Sequence, residues 1–331
     1  MGYIMKKDLA NKTYKIFLSK LSAFLVVISL LDFGIGYVLK KYYFKQQAGY
    51  DYQATYAIDT TKANILIMGS SRAANLFNPD IFESRFNISC FNTGRYGYPI
   101  FYHYALLKAI EKRHKPKMVI LSFDAGNFSI NQEAYDRLSS LLPYYSSHPE
   151  IRPVVDLKGP YEKLKMVSFI YPYNSLLLPI ISGNTSYSKK KYATIKGYIP
   201  LKENITLPLM KFDYTLEKKL DTVKINIYRA FIKECIDSNI KLFIVCPPYM
   251  VDAIGVDNSI IEAKKIAQQY AINFFDYSRD AFYANKPELF ADYRHLNENG
   301  VGLFSNNVIE KINGVGQISS LIIKEVSKTE K

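Results

Sequence analysis

Cysteine and histidine are scarce in this 331-residue chain, which holds three cysteines (Cys90, Cys235 and Cys246) and four histidines. Three widely spaced cysteines cannot build a disulfide framework, and so few histidines leave no Cys/His zinc cluster. Paired His and carboxylate ligands at fixed spacing are also missing, so no metal and no other cofactor is expected. The Gly-x-Gly-x-x-Gly dinucleotide fingerprint is absent, as is a phosphate-binding lysine loop. There is no internal repeat and no low-complexity tract. Hydrophobic residues make up 48% of the chain, enough for the core of one large domain or two ordinary ones, so disorder is excluded as its main theme.

Positive charge, by contrast, is abundant: 43 Lys and Arg stand against 30 Asp and Glu, a formal net charge of +13. Such a balance suits nucleic acid, an anionic membrane surface or an acidic polymer. The charge is spread along the chain and partly flanks one apolar run, and no nucleic-acid module is recognisable, so no nucleic-acid partner is expected. That run, Leu21 to Leu39, is interrupted only by Ser22, Ser29, Gly34, Gly36 and one acid, Asp32. It is long enough to cross a bilayer as a helix. Lys6, Lys7, Lys12, Lys15 and Lys20 precede it, and Lys40, Lys41 and Lys45 follow. The bias favours a cytoplasmic amino end, with the remainder on the extracytoplasmic side. No small-x-small cleavage site follows cleanly, so an uncleaved single-pass anchor is expected rather than a signal peptide. Asp32 reads either as an acid near the outer interface that reaches water or as a contact with a membrane partner.

Beyond a linker at 40–62, short apolar runs alternate with amphipathic stretches. Strands are expected at Ala63–Met68, Ile88–Phe91, Met118–Phe123, Leu242–Cys246 and Ile272–Phe275. Helices are expected from Asn78-Pro79 onward, over Pro99–His114, Asp221–Ser238, Ser259–Ala271 and Asn297–Ile312. Helix after strand, repeated, implies an α/β fold with a five-stranded parallel sheet covered on both faces. The rhythm fails at about 128–220, which reads as an insertion within a domain spanning 63–315. Its ten tyrosines either line a saccharide or glycolipid groove or pack the insertion onto the sheet edge. Lys189-Lys190-Lys191 there reads as a solvated loop, and the tail at 316–331 as a weak helix or frayed end.

Ligands of a parallel sheet sit beyond the carboxyl ends of its strands, so the residues that follow each strand matter most. The first strand ends in Gly69-Ser70-Ser71-Arg72, where a hydroxyl can be exposed at the mouth of a helix; a plain helix cap gives the same pattern. The second runs into Asn92-Thr93-Gly94-Arg95-Tyr96-Gly97, a glycine-bearing loop whose backbone N–H groups can approach a substrate oxygen. Near the carboxyl end stands Asp292-Tyr293-Arg294-His295. A carboxylate three residues before an imidazole can hold the ring nitrogen that faces away from a nucleophile. His103, His114 and His148 lack such a partner in sequence.

In order and spacing these blocks resemble the SGNH (GDSL-type) esterase and acyltransferase family. That resemblance implies a three-layer flavodoxin-like fold, with Ser71 as nucleophile, His295 as base, Asp292 as its orienting acid and Gly97 as an oxyanion donor. It departs in two places. Ser70 stands where the family usually has Asp, and the family's Gly-x-Asn-Asp is replaced by Phe123-Asp124-Ala125-Gly126-Asn127. Asn127 falls one position late; it either swings into the oxyanion hole or the donor is lost, at a cost of about 3 kcal/mol, and Asp124 can serve as a cap of the loop. With its anchor the chain also resembles the D-alanyl transfer protein of teichoic acid synthesis and the acetyltransferase partners of membrane-bound O-acyltransferases. The implied activity is hydrolysis or transfer of acyl, especially acetyl, esters on a cell-surface polysaccharide or glycolipid. A multi-span membrane O-acyltransferase is the implied partner. The alternative is a catalytically inactive protein that uses the same cleft to bind a glycan or a partner.

Overall fold

Five short runs, four of them largely buried on both faces, pair side by side in one all-parallel sheet. The computed structural model describes residues 2–185, 194–204, 210–214 and 219–315; the Lys189-Lys190-Lys191 run and the tail at 316–331 lie outside them. The strands are β1 (Ile65–Met68), β2 (Cys90–Asn92), β3 (Met118–Ser122), β5 (Lys241–Cys246) and β7 (Asn273–Asp276), in the order β2-β1-β3-β5-β7. β4 (Met210–Asp213) and β6 (Val251–Ile254) form a separate parallel pair. Numbering the sheet's strands alone gives the order 2-1-3-4-5 of flavodoxin-like folds, which reverses direction between β1 and β3.

Alternation along the strands sorts the core into two layers. Ile65 and Ile67 of β1, with Met118 and Ile120 of β3, face helices α3 (Ser71–Leu76), α4 (Pro79–Phe86) and α8 (Glu298–Gly314). Leu66, Met68, Val119 and Leu121 face the opposite layer of α2 (Gly49–Asp59), α5 (Ile100–Glu111), α6 (Thr222–Asp237) and α7 (Asn258–Gln269). The expected helices are present, with ends set by caps: Asn78 accepts from Asp80 N, Asp221 from Val223 N and Lys224 N, Asp257 from Ser259 N, and Asn297 from Gly300 N.

Helix α1 runs from Gly2 to Phe44, well beyond the apolar stretch at both ends. It is long and apolar enough to cross a membrane, and its most apolar window is almost wholly exposed. Three features differ from expectation. The 40–62 segment contains α2, whose Ala54, Ala57 and Ile58 are buried against the core. The Arg113 guanidinium donates to the carbonyls of Ala57, Ile58 and Thr61 and so closes the carboxyl end of that helix. Tyr144 and Tyr173 of the insertion pack against Tyr43 near the carboxyl end of α1. Asp32 finds partners within its own chain: it accepts from Ser168 Oγ (2.6 Å), Phe169 N (2.7 Å) and Ile170 N (3.2 Å).

Candidate active site

The switch point between β1 and β3 opens the sheet at its carboxyl edge, and the loops that follow β1, β2 and β3 meet there. Gly69 follows β1 directly, and its φ of +143° suits glycine; a Cβ at this position would lie 2.8 Å from Ser122. The close approach of the β1 and β3 ends therefore depends on a missing side chain. Ser70 follows as the N-cap of α3 and accepts from Arg72 N, which leaves Ser71 as the first residue of the helix. In that position the Ser71 N–H has no acceptor within the helix.

Asn92, wholly buried, ties the β2 loop to α3: its Nδ2 donates to the carbonyls of Ala73 (2.7 Å) and Phe77 (2.9 Å), and its Oδ1 accepts from Gly94 N. Arg95 N donates to Gly69 O at 3.0 Å, linking the two loops directly. The Arg95 side chain turns inward, 4.2 Å over the Tyr98 ring and 2.7 Å from Asp51 Oδ1 of α2. Burial alone would pull the guanidinium's pKa down, but Asp51 and the surrounding tyrosines outweigh it and keep the group charged. At Gly97 a φ of +73° turns the chain, and the Arg137 guanidinium covers the place a Cβ would take.

From the other side, the loop before α8 presents His295. Its Nε2 lies 2.9 Å from Ser71 Oγ, and its Nδ1 lies 2.8 Å from Asp292 Oδ2. A proton on Nδ1, donated to the carboxylate, leaves the Nε2 lone pair facing the serine hydroxyl. Asp292 Oδ1 also accepts from the N–H groups of Arg294 (2.7 Å) and His295 (2.9 Å). Partial burial pushes this carboxyl up, but the bonds from His295, its charge and the two N–H groups hold it below the ordinary carboxylate range. Ser71, His295 and Asp292, residues 224 and three positions apart, thus form one hydrogen-bonded chain.

A cavity of about 300 Å³ lies beside this chain, and Ser71, Gly97 and Asn127 all line it. Sequence reasoning missed its floor. Arg72, only 2% exposed, lies 3.5 Å over the Tyr249 ring, donates to Pro248 O at 2.6 Å and stands 3.8 Å from Asp124. Asp124 accepts from Ser70 Oγ, and Tyr249 Oη accepts from Ala125 N at 2.9 Å. Asp124 of the β3 loop thus clamps the residue before Ser71. An arginine beside a serine at a helix start gives no sign of burial in the sequence; only its partners on two other loops do. Lys224, Arg137 and Arg294 complete a cationic rim. Lys224 is buried and donates to Ser129 O at 2.6 Å, and burial pulls its amine below the ordinary lysine value. Among the described residues no three His, Cys, Asp or Glu side chains converge as a metal site.

No family model matches the chain, and no curated protein matches it. Among solved structures, it is similar to the crystal structure of a Bacteroides fragilis protein provisionally designated an acylhydrolase. The two share 13% identity at a TM-score of 0.38, over 79% of this chain and 94% of that one. At that distance the functional reading rests on the geometry of the site itself.

Proposed function

We propose that the chain is a membrane-anchored serine esterase or O-acyltransferase of the SGNH type, acting on acyl esters of a cell-surface polysaccharide or glycolipid. The observation that carries this reading is the Asp292–His295–Ser71 chain of hydrogen bonds at the carboxyl edge of a parallel sheet. His295 Nε2 takes the Ser71 proton as Oγ attacks the ester carbonyl, and the oxyanion forms against the N–H groups of Ser71 and Gly97. Asn127, on the same cavity wall, is the third donor. Collapse of the tetrahedral intermediate expels the alcohol, which takes the proton back from His295 and leaves the acyl group on Ser71. Water or a sugar hydroxyl, deprotonated by His295, then removes the acyl group. Serine, asparagine and cationic side chains around a cavity of about 300 Å³ suit a short acyl group such as acetyl on a polar carrier better than a long hydrocarbon chain.

The lysines before the apolar stretch of α1 outnumber those just after it, which favours an extracytoplasmic position for the catalytic domain. That position suits an envelope polymer as substrate and a multi-span O-acyltransferase as donor of acyl groups. The full chain in detergent, mixed with p-nitrophenyl acetate, is expected to release about one equivalent of nitrophenol in a burst, followed by slower turnover. An added acetyl acceptor that accelerates the slow phase marks a transferase, and a slow phase that proceeds in water and is not accelerated by acceptors marks an esterase. A folded chain that gives neither burst nor turnover would replace this reading with a cleft used only for binding.

A further inference from the structure

We propose that the turn from Tyr161 to Ile170 is immersed in the lipid bilayer beside α1, so that the folded domain rests in the membrane as well as being tethered to it. The proposal rests on the reading that α1 spans the membrane. Four large apolar side chains stand exposed within nine residues here: Tyr161, Leu164, Val167 and Phe169, with Val167 at 74%. A soluble surface seldom concentrates apolar side chains in this way, and such patches mark contact with membranes or partners.

The occupant is settled by what the turn is joined to. Phe169 meets Phe33 of α1 edge to face at 5.1 Å, and its backbone presses on Gly36, where a Cβ would come within 2.4 Å. Asp32, Phe33 and Gly36 all lie inside the apolar stretch of α1, four to eight residues before Lys40. At about 1.5 Å per helical residue these contacts sit roughly 6–12 Å below Lys40. That is close to the depth of roughly 5–10 Å at which interfacial elements bury their apolar faces.

Hydrogen bonding supports the same placement. A carboxylate within an apolar membrane helix needs partners, and backbone N–H groups at that depth need acceptors. Asp32 and the N–H groups of Phe169 and Ile170 satisfy each other. Lys163, its side chain 79% exposed, lies between Tyr161 and Leu164, where its stem can reach the headgroup layer. The lipid bilayer, continuous with the exposed sides of α1, is the partner this chemistry fits.

The chain contains no tryptophan, so a single introduced indole reports its own surroundings. Full-length Val167→Trp and Phe169→Trp would be reconstituted into vesicles of phosphatidylcholine and phosphatidylglycerol with and without bromine on the acyl chains. Phe24→Trp in mid-helix and Ile254→Trp on exposed β6 serve as inside and outside references. The expected result is that Trp at 167 and 169 loses fluorescence to brominated lipid as Trp at 24 does, whereas Trp at 254 does not. Quenching at 24 but not at 167 and 169 would overturn the proposal, and a blue-shifted but unquenched signal there would assign the patch to a protein partner instead. Failure at 24 as well would overturn the spanning reading itself, and the proposal with it.

Discussion

Ester cleavage by His295→Ala is expected to fall by about 10⁴- to 10⁶-fold in kcat with little change in KM, because the base acts on the reacting proton and not on substrate binding. A serine hydroxyl is a weak nucleophile until its proton has somewhere to go. Here the acceptor is His295 Nε2, 2.9 Å from Ser71 Oγ. The remaining histidines cannot replace it. His103 is buried in α5, and that burial drives its pKa down to about 3; His114 Nε2 lies 3.0 Å from Ala63 O, and His148 is paired with Glu150 at 2.7 Å. The alanine variant is expected to keep its fold, since His295 closes the rim of the site and is not part of the core. Single-turnover kinetics with an activated ester check this result, and a loss below tenfold would remove His295 from the mechanism.

Asp292→Asn is expected to lower kcat by about 10⁴-fold while leaving the serine and histidine in place. The carboxylate accepts from His295 Nδ1 at 2.8 Å, which fixes the proton on the nitrogen that faces away from Ser71. An asparagine that turns its amide NH₂ toward Nδ1 favours the opposite tautomer and points an N–H at the nucleophile. Asp292→Ala imposes no such tautomer and is expected to lose less. Because the carboxyl titrates below its ordinary value, it is ionised throughout the neutral range and sets no limb of the activity profile there. The sign for stability follows: the folded state binds the proton more weakly than the unfolded chain. The contribution of Asp292 is thus present above its unfolded pKa of about 4 and is lost as the pH falls through the lower folded value. Rates of the two variants measured side by side against pH check the tautomer argument; equal losses would contradict it.

The sheet was legible in the sequence because strands buried on both faces must be largely apolar, as Ile65–Met68 and Met118–Leu121 are. The loops after those strands were legible for a related reason, since the switch point of a parallel sheet fixes where ligands can enter. Side chains whose setting depends on distant parts of the chain were not. Arg72 and Arg95 are buried against Asp124 and Asp51 with tyrosines stacked on them, and neither acid lies near its arginine in sequence. Helix α2 escaped notice because its inner face is Asp51, Ala54, Ala57 and Ile58, too weakly apolar to show a period. Asp32 looked like a solitary membrane acid because its partners lie some 136 residues away. The departures at Ser70 and Asp124, read separately as defects of the pattern, are two ends of one hydrogen bond.

Covalent labelling of the full chain with a fluorophosphonate, followed by peptide mass spectrometry, tests the central claim most directly. An activated serine attacks phosphorus without needing the true substrate or a membrane partner. The account predicts one adduct, on Ser71, that is absent from Ser71→Ala and strongly slowed in His295→Ala. No adduct on a demonstrably folded chain, or one that persists in Ser71→Ala, would contradict it.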